Sequence, residues 1–112
     1  MILWHNPRCS KSREALALLE ARGITPEIRK YLSDAPDLDE LRALQARLGL
    51  RAIEMMRPKE PAFAALGLRR DMDDAALLGA MAREPKLIER PIAISERGAV
   101  IGRPPERVLT LL

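Results

Sequence analysis

Strand, helix and strand follow one another in roughly the first thirty residues, and that order constrains the fold more than anything else in the chain. Residues 1–4 form a short apolar run broken by Asn6-Pro7, the pattern of a buried strand that ends in a turn. From residue 10 to 22, Ala15, Leu16, Leu18 and Leu19 fall at helical spacing, and Gly23 supplies the stop. Residues 25–31 alternate loosely as a second strand. Parallel strands need a long crossover, usually a helix, so this stretch predicts a parallel βαβ unit.

The middle of the chain is helical by its pattern. Asp37 and Glu40 form a capping-box signature, Leu38, Leu41, Leu44 and Leu48 share one face, and Gly49 ends the helix. Residues 52–56 and 62–66 predict short helical pieces separated by Pro58 and Pro61. Asp73 or Asp74 caps a further helix that runs to about Arg83 and stops before Pro85. Residues 92–95 and 99–102 are β-branched segments joined by Glu96-Arg97-Gly98, which predicts a hairpin. Pro104-Pro105 then opens a last short helix over 106–111. The order is β-α-β, a helical block, then β-β-α, and it predicts one α/β domain over residues 1–112.

Composition excludes several classes. The longest nearly apolar run, residues 75–82, is far short of the roughly 20 needed for a membrane span. Strand-like residues start at Met1 without a basic or apolar leader, so no secretory signal is expected. One cysteine cannot make an internal disulfide, and one histidine cannot build a His-rich metal site. Both point to a reducing cytoplasm. Aromatic residues are only 3%, too few for the stacking platforms of single-strand nucleic-acid binders. The net charge of +3 comes mostly from arginines spread along the chain, which suits a small anion better than a duplex. No nucleic-acid or membrane partner is expected.

Cys9 is the first candidate for chemistry. It follows Asn6-Pro7-Arg8 and sits just before the first predicted helix. There, unpaired N–H groups and the positive end of the helix dipole stabilise a thiolate, and Arg8, Lys11 and Arg13 add positive charge nearby. Cys9-Ser-Lys-Ser12 has the spacing of a C-x-x-C motif with serine in the second place. A mixed disulfide on Cys9 therefore needs an outside thiol to resolve it. Ser10 is expected to cap the helix. His5, at the end of the first strand, is either a hydrogen-bonded edge histidine or an imidazole that tunes the thiol.

Three arginines precede proline: Arg57-Pro58, Arg90-Pro91 and Arg103-Pro104. A residue before proline is pushed out of the helical region, so these sit in turns or at strand starts. Three guanidinium groups meeting at one thiolate would hold a tetrahedral oxyanion through paired hydrogen bonds, although spacing alone does not bring them together. Met55 and Met56 are expected in the core. Asp71, Asp73 and Asp74 lack the glycine and terminal glutamate of a calcium loop. Phosphate-loop, dinucleotide, zincin and nucleophile-elbow motifs are absent.

Together these pieces resemble the glutaredoxin-coupled arsenate reductases, the ArsC family. His5-Asn-Pro-Arg-Cys9-Ser-Lys-Ser-Arg13 is close to the family's H-N-P-x-C-x-x-S-R, and the likeness continues through Arg57, Leu66-Gly67-Leu68, Arg90-Pro91-Ile92 and Gly102-Arg103-Pro104. The resemblance implies a thioredoxin-like fold, βαβ then ββα on a mixed four-stranded sheet, with a helical insertion over about 36–84. It implies a cis Pro91 supporting the loop opposite the cysteine, with Asn6, Ser12 and Arg13 as further supports. Cys9 would be the nucleophile, His5 the histidine near the thiolate, and Arg57, Arg90 and Arg103 the oxyanion ligands.

The activity implied is reduction of arsenate, with no bound cofactor or metal. Cys9 attacks arsenate, glutathione adds as co-substrate, arsenite leaves, and glutaredoxin removes glutathione from the cysteine. A glutathione-dependent thiol reductase of another substrate would use the same cysteine. A regulator of the Spx type, which binds RNA polymerase, would share the fold, but such sensors commonly switch through C-x-x-C and this chain has Ser12 there.

Overall fold

Strand β1 (Ile2–Trp4) lies inside a four-stranded sheet, between β2 (Glu27–Arg29) on one side and β3 (Ile92–Ser95) on the other, with β4 (Gly98–Ile101) beyond β3. This computed structural model describes all of residues 1–112. β1 and β2 run parallel, joined by α1 (Ser10–Ala21), whereas β3 is antiparallel to both β1 and β4. The sheet is therefore mixed, and the fold is thioredoxin-like.

These strands, α1 and a 3-10 helix at Pro105–Leu111 make one compact unit, residues 1–34 with 90–112. Its core is Leu3, Ala15, Leu19, Ala93, Val108 and Leu111. Alternation selects Leu3 from β1, and the seven-residue helical repeat selects Ser12 and Leu19 with Ala15 between them. Burying a side chain such as Leu19 contributes about 1.5–3 kcal/mol. The second strand is shorter than the 25–31 expected. Pro26 has no N–H to give to a ladder, and the Lys30 carbonyl turns to accept from Ser33 and Asp34, so pairing stops at Arg29.

The second compact unit, residues 35–89, is built from helices. Its α2 (Leu38–Leu48) starts at a complete capping box: Asp37 accepts from the Glu40 N–H, and Glu40 reaches back to the Asp37 N–H. Gly49 closes α2 at φ 67°, a left-handed conformation that glycine adopts without strain. A 3-10 turn (Ala52–Met55) and α3 (Pro61–Ala65) follow, and then α4 (Asp74–Arg83), capped by Asp73, which accepts from the Ala76 N–H. A second 3-10 turn, Pro85–Leu87, closes the unit. α4 packs against α2 and both 3-10 turns, and Leu41, Leu44, Met55, Met56, Leu77 and Met81 are buried. Asp74 is no cap. Its carboxylate accepts from Gln45 Nε2 at 2.7 Å and from the Ala52 N–H at 3.3 Å, stapling the start of α4 to two preceding elements. No helix is long and apolar enough to cross a membrane.

Candidate active site around Cys9

Register decides where the sequence motifs meet. Trp4 on β1 pairs with Ile92 on β3, and Ile92 pairs with Ile101 on β4. Residues 5–9 continue from Trp4, Arg90-Pro91 leads into Ile92, and Gly102-Arg103 leaves Ile101. All three segments therefore emerge at the same end of the sheet. The Arg90–Pro91 peptide bond is cis, as the resemblance implies, and so is Arg103–Pro104.

Cys9 is the N-cap residue of α1, extended at φ −92°, ψ 123°, with a free, buried thiol. Its N–H donates to the Asn6 carbonyl and its own carbonyl accepts from the Arg13 N–H, each at 3.0 Å. The expectation that Ser10 caps this helix is corrected, because Ser10 is already the first helical residue and no side chain caps α1. No acidic residue occupies the first turn. The sulfur thus stands where the helix presents its free N–H groups and the positive end of its dipole.

The loop that carries Cys9 is tied down on several sides. Asn6 Oδ1 accepts from the Arg8 N–H at 3.0 Å, a turn that asparagine favours. Arg13 Nη1 donates to the Pro7 carbonyl at 2.9 Å. Ser12, fully buried, accepts from the Asn6 N–H at 3.1 Å and stands 2.6 Å from His5 Nδ1. His5 is itself buried, and its backbone N–H donates to the Arg29 carbonyl. Burial holds the His5 pKa below its ordinary value, and the positive charges of Lys30 and Arg13 push it the same way.

Arg103 Nη1 donates to the Arg90 carbonyl at 3.3 Å, so these two arginine segments are joined directly. Gly102 lies between them and the core. Its N–H donates to the Pro91 carbonyl at 2.8 Å, and a Cβ there would stand 2.8 Å from Pro91 Cγ and 3.0 Å from Val108 Cγ1. Only glycine permits that approach. Arg57 belongs to the helical unit. Its N–H donates to the Leu87 carbonyl, and its guanidinium pairs with Glu60 at 3.1 Å.

The sequence signals did not reveal the Ser12–His5 pair, the Glu60 partner of Arg57, or the close packing of Gly102. The first was traceable: Ser12 shares the buried face of α1 with Ala15 and Leu19, and a polar residue on such a face needs a partner. Glu60, three residues from Arg57, is a common spacing and carried no signal of its own.

A βαβ–ββα sheet whose single cysteine heads the first helix defines a thioredoxin-like protein. The sequence profile of the ArsC family matches residues 4–111. The chain is 48% identical over 112 residues to an arsenate reductase of Neisseria meningitidis serogroup A, covering 98% of this chain and 96% of that protein. An uncharacterized protein of Escherichia coli, YfgD, is 46% identical over 112 residues, covering 98% and 94%. Among solved structures, an arsenate reductase from Vibrio cholerae superposes with a TM-score of 0.94 at 50% identity, covering 99% of this chain and 96% of that one. The chain belongs to the ArsC family.

Proposed function

We propose that the protein reduces arsenate to arsenite with glutathione and glutaredoxin, using Cys9 as the nucleophile. The observation that carries this reading is the position of Cys9: the only thiol heads an uncapped helix, at the sheet end where the Arg90 and Arg103 segments also emerge. Relatives named arsenate reductases support the choice of substrate.

In this reading Arg90 and Arg103 hold the oxyanion, and the open first turn of α1 attracts its negative charge. Cys9 sulfur bonds to arsenic as an As–O bond breaks and water leaves. Glutathione then supplies the second sulfur. A disulfide forms between Cys9 and glutathione, and the two electrons so released reduce As(V) to As(III), which departs as arsenite. Without a second cysteine, the chain needs glutaredoxin to accept the glutathionyl group and regenerate the Cys9 thiol. In this reading the protein works in the cytoplasm, where reduced glutathione is at hand.

The test is arsenate-dependent NADPH oxidation with glutathione, glutaredoxin and glutathione reductase, wild type beside Cys9→Ser. Turnover that requires arsenate, glutathione and Cys9 together is the expected result; turnover retained by Cys9→Ser overturns the mechanism. A second reading keeps Cys9 and glutathione but takes another thiol substrate. The Arg57–Glu60 pair favours it, because one of the three expected oxyanion ligands already has a carboxylate partner. A glutathionylated peptide turned over without arsenate dependence would select that reading.

A further inference from the structure

His5 and Ser12 form a buried pair that needs only a hydrogen count to interpret. A serine oxygen offers one hydrogen and two lone pairs. The Asn6 N–H already occupies one lone pair of Ser12 Oγ, because a backbone N–H does nothing but donate. The remaining contact of this fully buried hydroxyl is His5 Nδ1 at 2.6 Å. Were Nδ1 to donate, both lone pairs would be filled and the hydroxyl hydrogen would be sealed in without an acceptor. With the hydroxyl donating, the Ser12 hydrogen and His5 Nδ1 satisfy each other while the Asn6 N–H keeps its acceptor.

We propose that Ser12 is a positioning residue: its hydroxyl donates to His5 Nδ1 and fixes the ring as the neutral Nε2–H tautomer, so His5 serves the site as a hydrogen-bond donor and not as an imidazolium. The surroundings agree. Protonating Nδ1 would set its N–H against the Ser12 O–H, and the ring is buried, with the cationic Arg13 of α1 and Lys30 after β2 disfavouring a further positive charge. Ser12 therefore joins two tasks in one oxygen. It pins the start of the Cys9 loop through Asn6, and it sets which nitrogen of His5 carries the proton.

The consequence for catalysis rests on the proposed reductase reading, whereas the tautomer does not. If His5 is neutral, the positive charge offered to an oxyanion comes from the α1 terminus and from arginines, with no imidazolium among them. His5 then contributes through its Nε2–H.

The chain holds a single histidine, so nitrogen-15 NMR of histidine-labelled protein reads this ring without assignment. The expected wild-type spectrum at neutral pH has a protonated, pyrrole-type Nε2 and a bare, pyridine-type Nδ1. A protonated Nδ1, an averaged pair of tautomers, or a doubly protonated ring would overturn the proposal. Ser12→Ala should average the two tautomers and raise the titration midpoint of His5, and Ser12→Thr, which keeps the hydroxyl, should restore the wild-type pattern. An unchanged spectrum in Ser12→Ala would remove Ser12 from the role. Should Ser12→Ala fold poorly, the wild-type spectrum and that of Ser12→Thr still decide the tautomer. No arsenate is present in these measurements, so they succeed or fail separately from the reductase assay.

Discussion

The two long helices of the helical unit, α2 and α4, and α1 of the sheet-bearing unit begin in opposite ways. In residues 35–89, α2 begins at Asp37 and α4 at Asp73, each with a carboxylate bonded to the N–H three residues on, and each first turn carries acidic residues. In the other unit α1 begins at Cys9, with no side-chain cap and no acid in its first turn. A capping aspartate contributes roughly 1 kcal/mol to a helix. α1 goes without that stabilisation, and its first N–H groups have no side-chain cap.

The sharpest way to break this comparison is Cys9→Asp, which turns the open start into a closed one. Turnover should fall to background while stability rises by about 1 kcal/mol in urea denaturation, since the backbone at position 9 already has the extended N-cap conformation. A variant that loses activity and also loses stability would show that the open terminus is not what separates the two units. In the opposite direction, Asp73→Ala removes a cap whose only partner is the Ala76 N–H. It should cost about 1 kcal/mol of unfolding free energy and leave kcat and KM within error.

Glu60→Gln sharpens the comparison at Arg57. The ion pair it removes is part-exposed and worth about 0–1 kcal/mol. If Arg57 serves the oxyanion, KM for arsenate should drop several-fold at unchanged kcat, most clearly at low ionic strength. An unchanged KM would confine Arg57 to the structure of its own unit. The smallest effect concerns His5. Its pKa is lower folded than unfolded, so between those two values the unfolded chain binds more protons and stability rises with pH. Stability should therefore be complete above about pH 6.5 and decline as pH falls below it. His5→Gln should remove that part of the slope, and parallel urea titrations of wild type and variant should lose this difference at neutral pH.

Elements with a strong local signal were legible in sequence. The capping box at Asp37 and Glu40, the left-handed Gly49, the Asp73 cap and the hairpin over 92–101 follow from side chains acting on backbone within a few residues. The second strand was legible in place but not in length, because its end depends on which N–H groups the Lys30 carbonyl accepts. Within the candidate site, Cys9 and the three Arg-Pro pairs were visible as residue types. Ser10 is not the cap the sequence suggests, since the Asn6-Pro7 turn and the Cys9 N–H bond to Asn6 start α1 one residue earlier than a Ser10 cap requires.

What the sequence determined alone was everything short-ranged: the order of elements, the helix starts and stops, and a lone cysteine beside cations at a predicted helix start. These depend on spacing, capping chemistry and backbone preference, which are written within a few residues of one another. Tertiary structure decided which distant residues share a site. Strand register set Trp4, Ile92 and Ile101 side by side and so brought residues 5–9, Arg90 and Arg103 to one end of the sheet. Burial on α1 paired Ser12 with His5, and the approach of Pro91 and Val108 required glycine at 102. Pairing and burial act between residues far apart in the chain, so only the folded sheet reveals them.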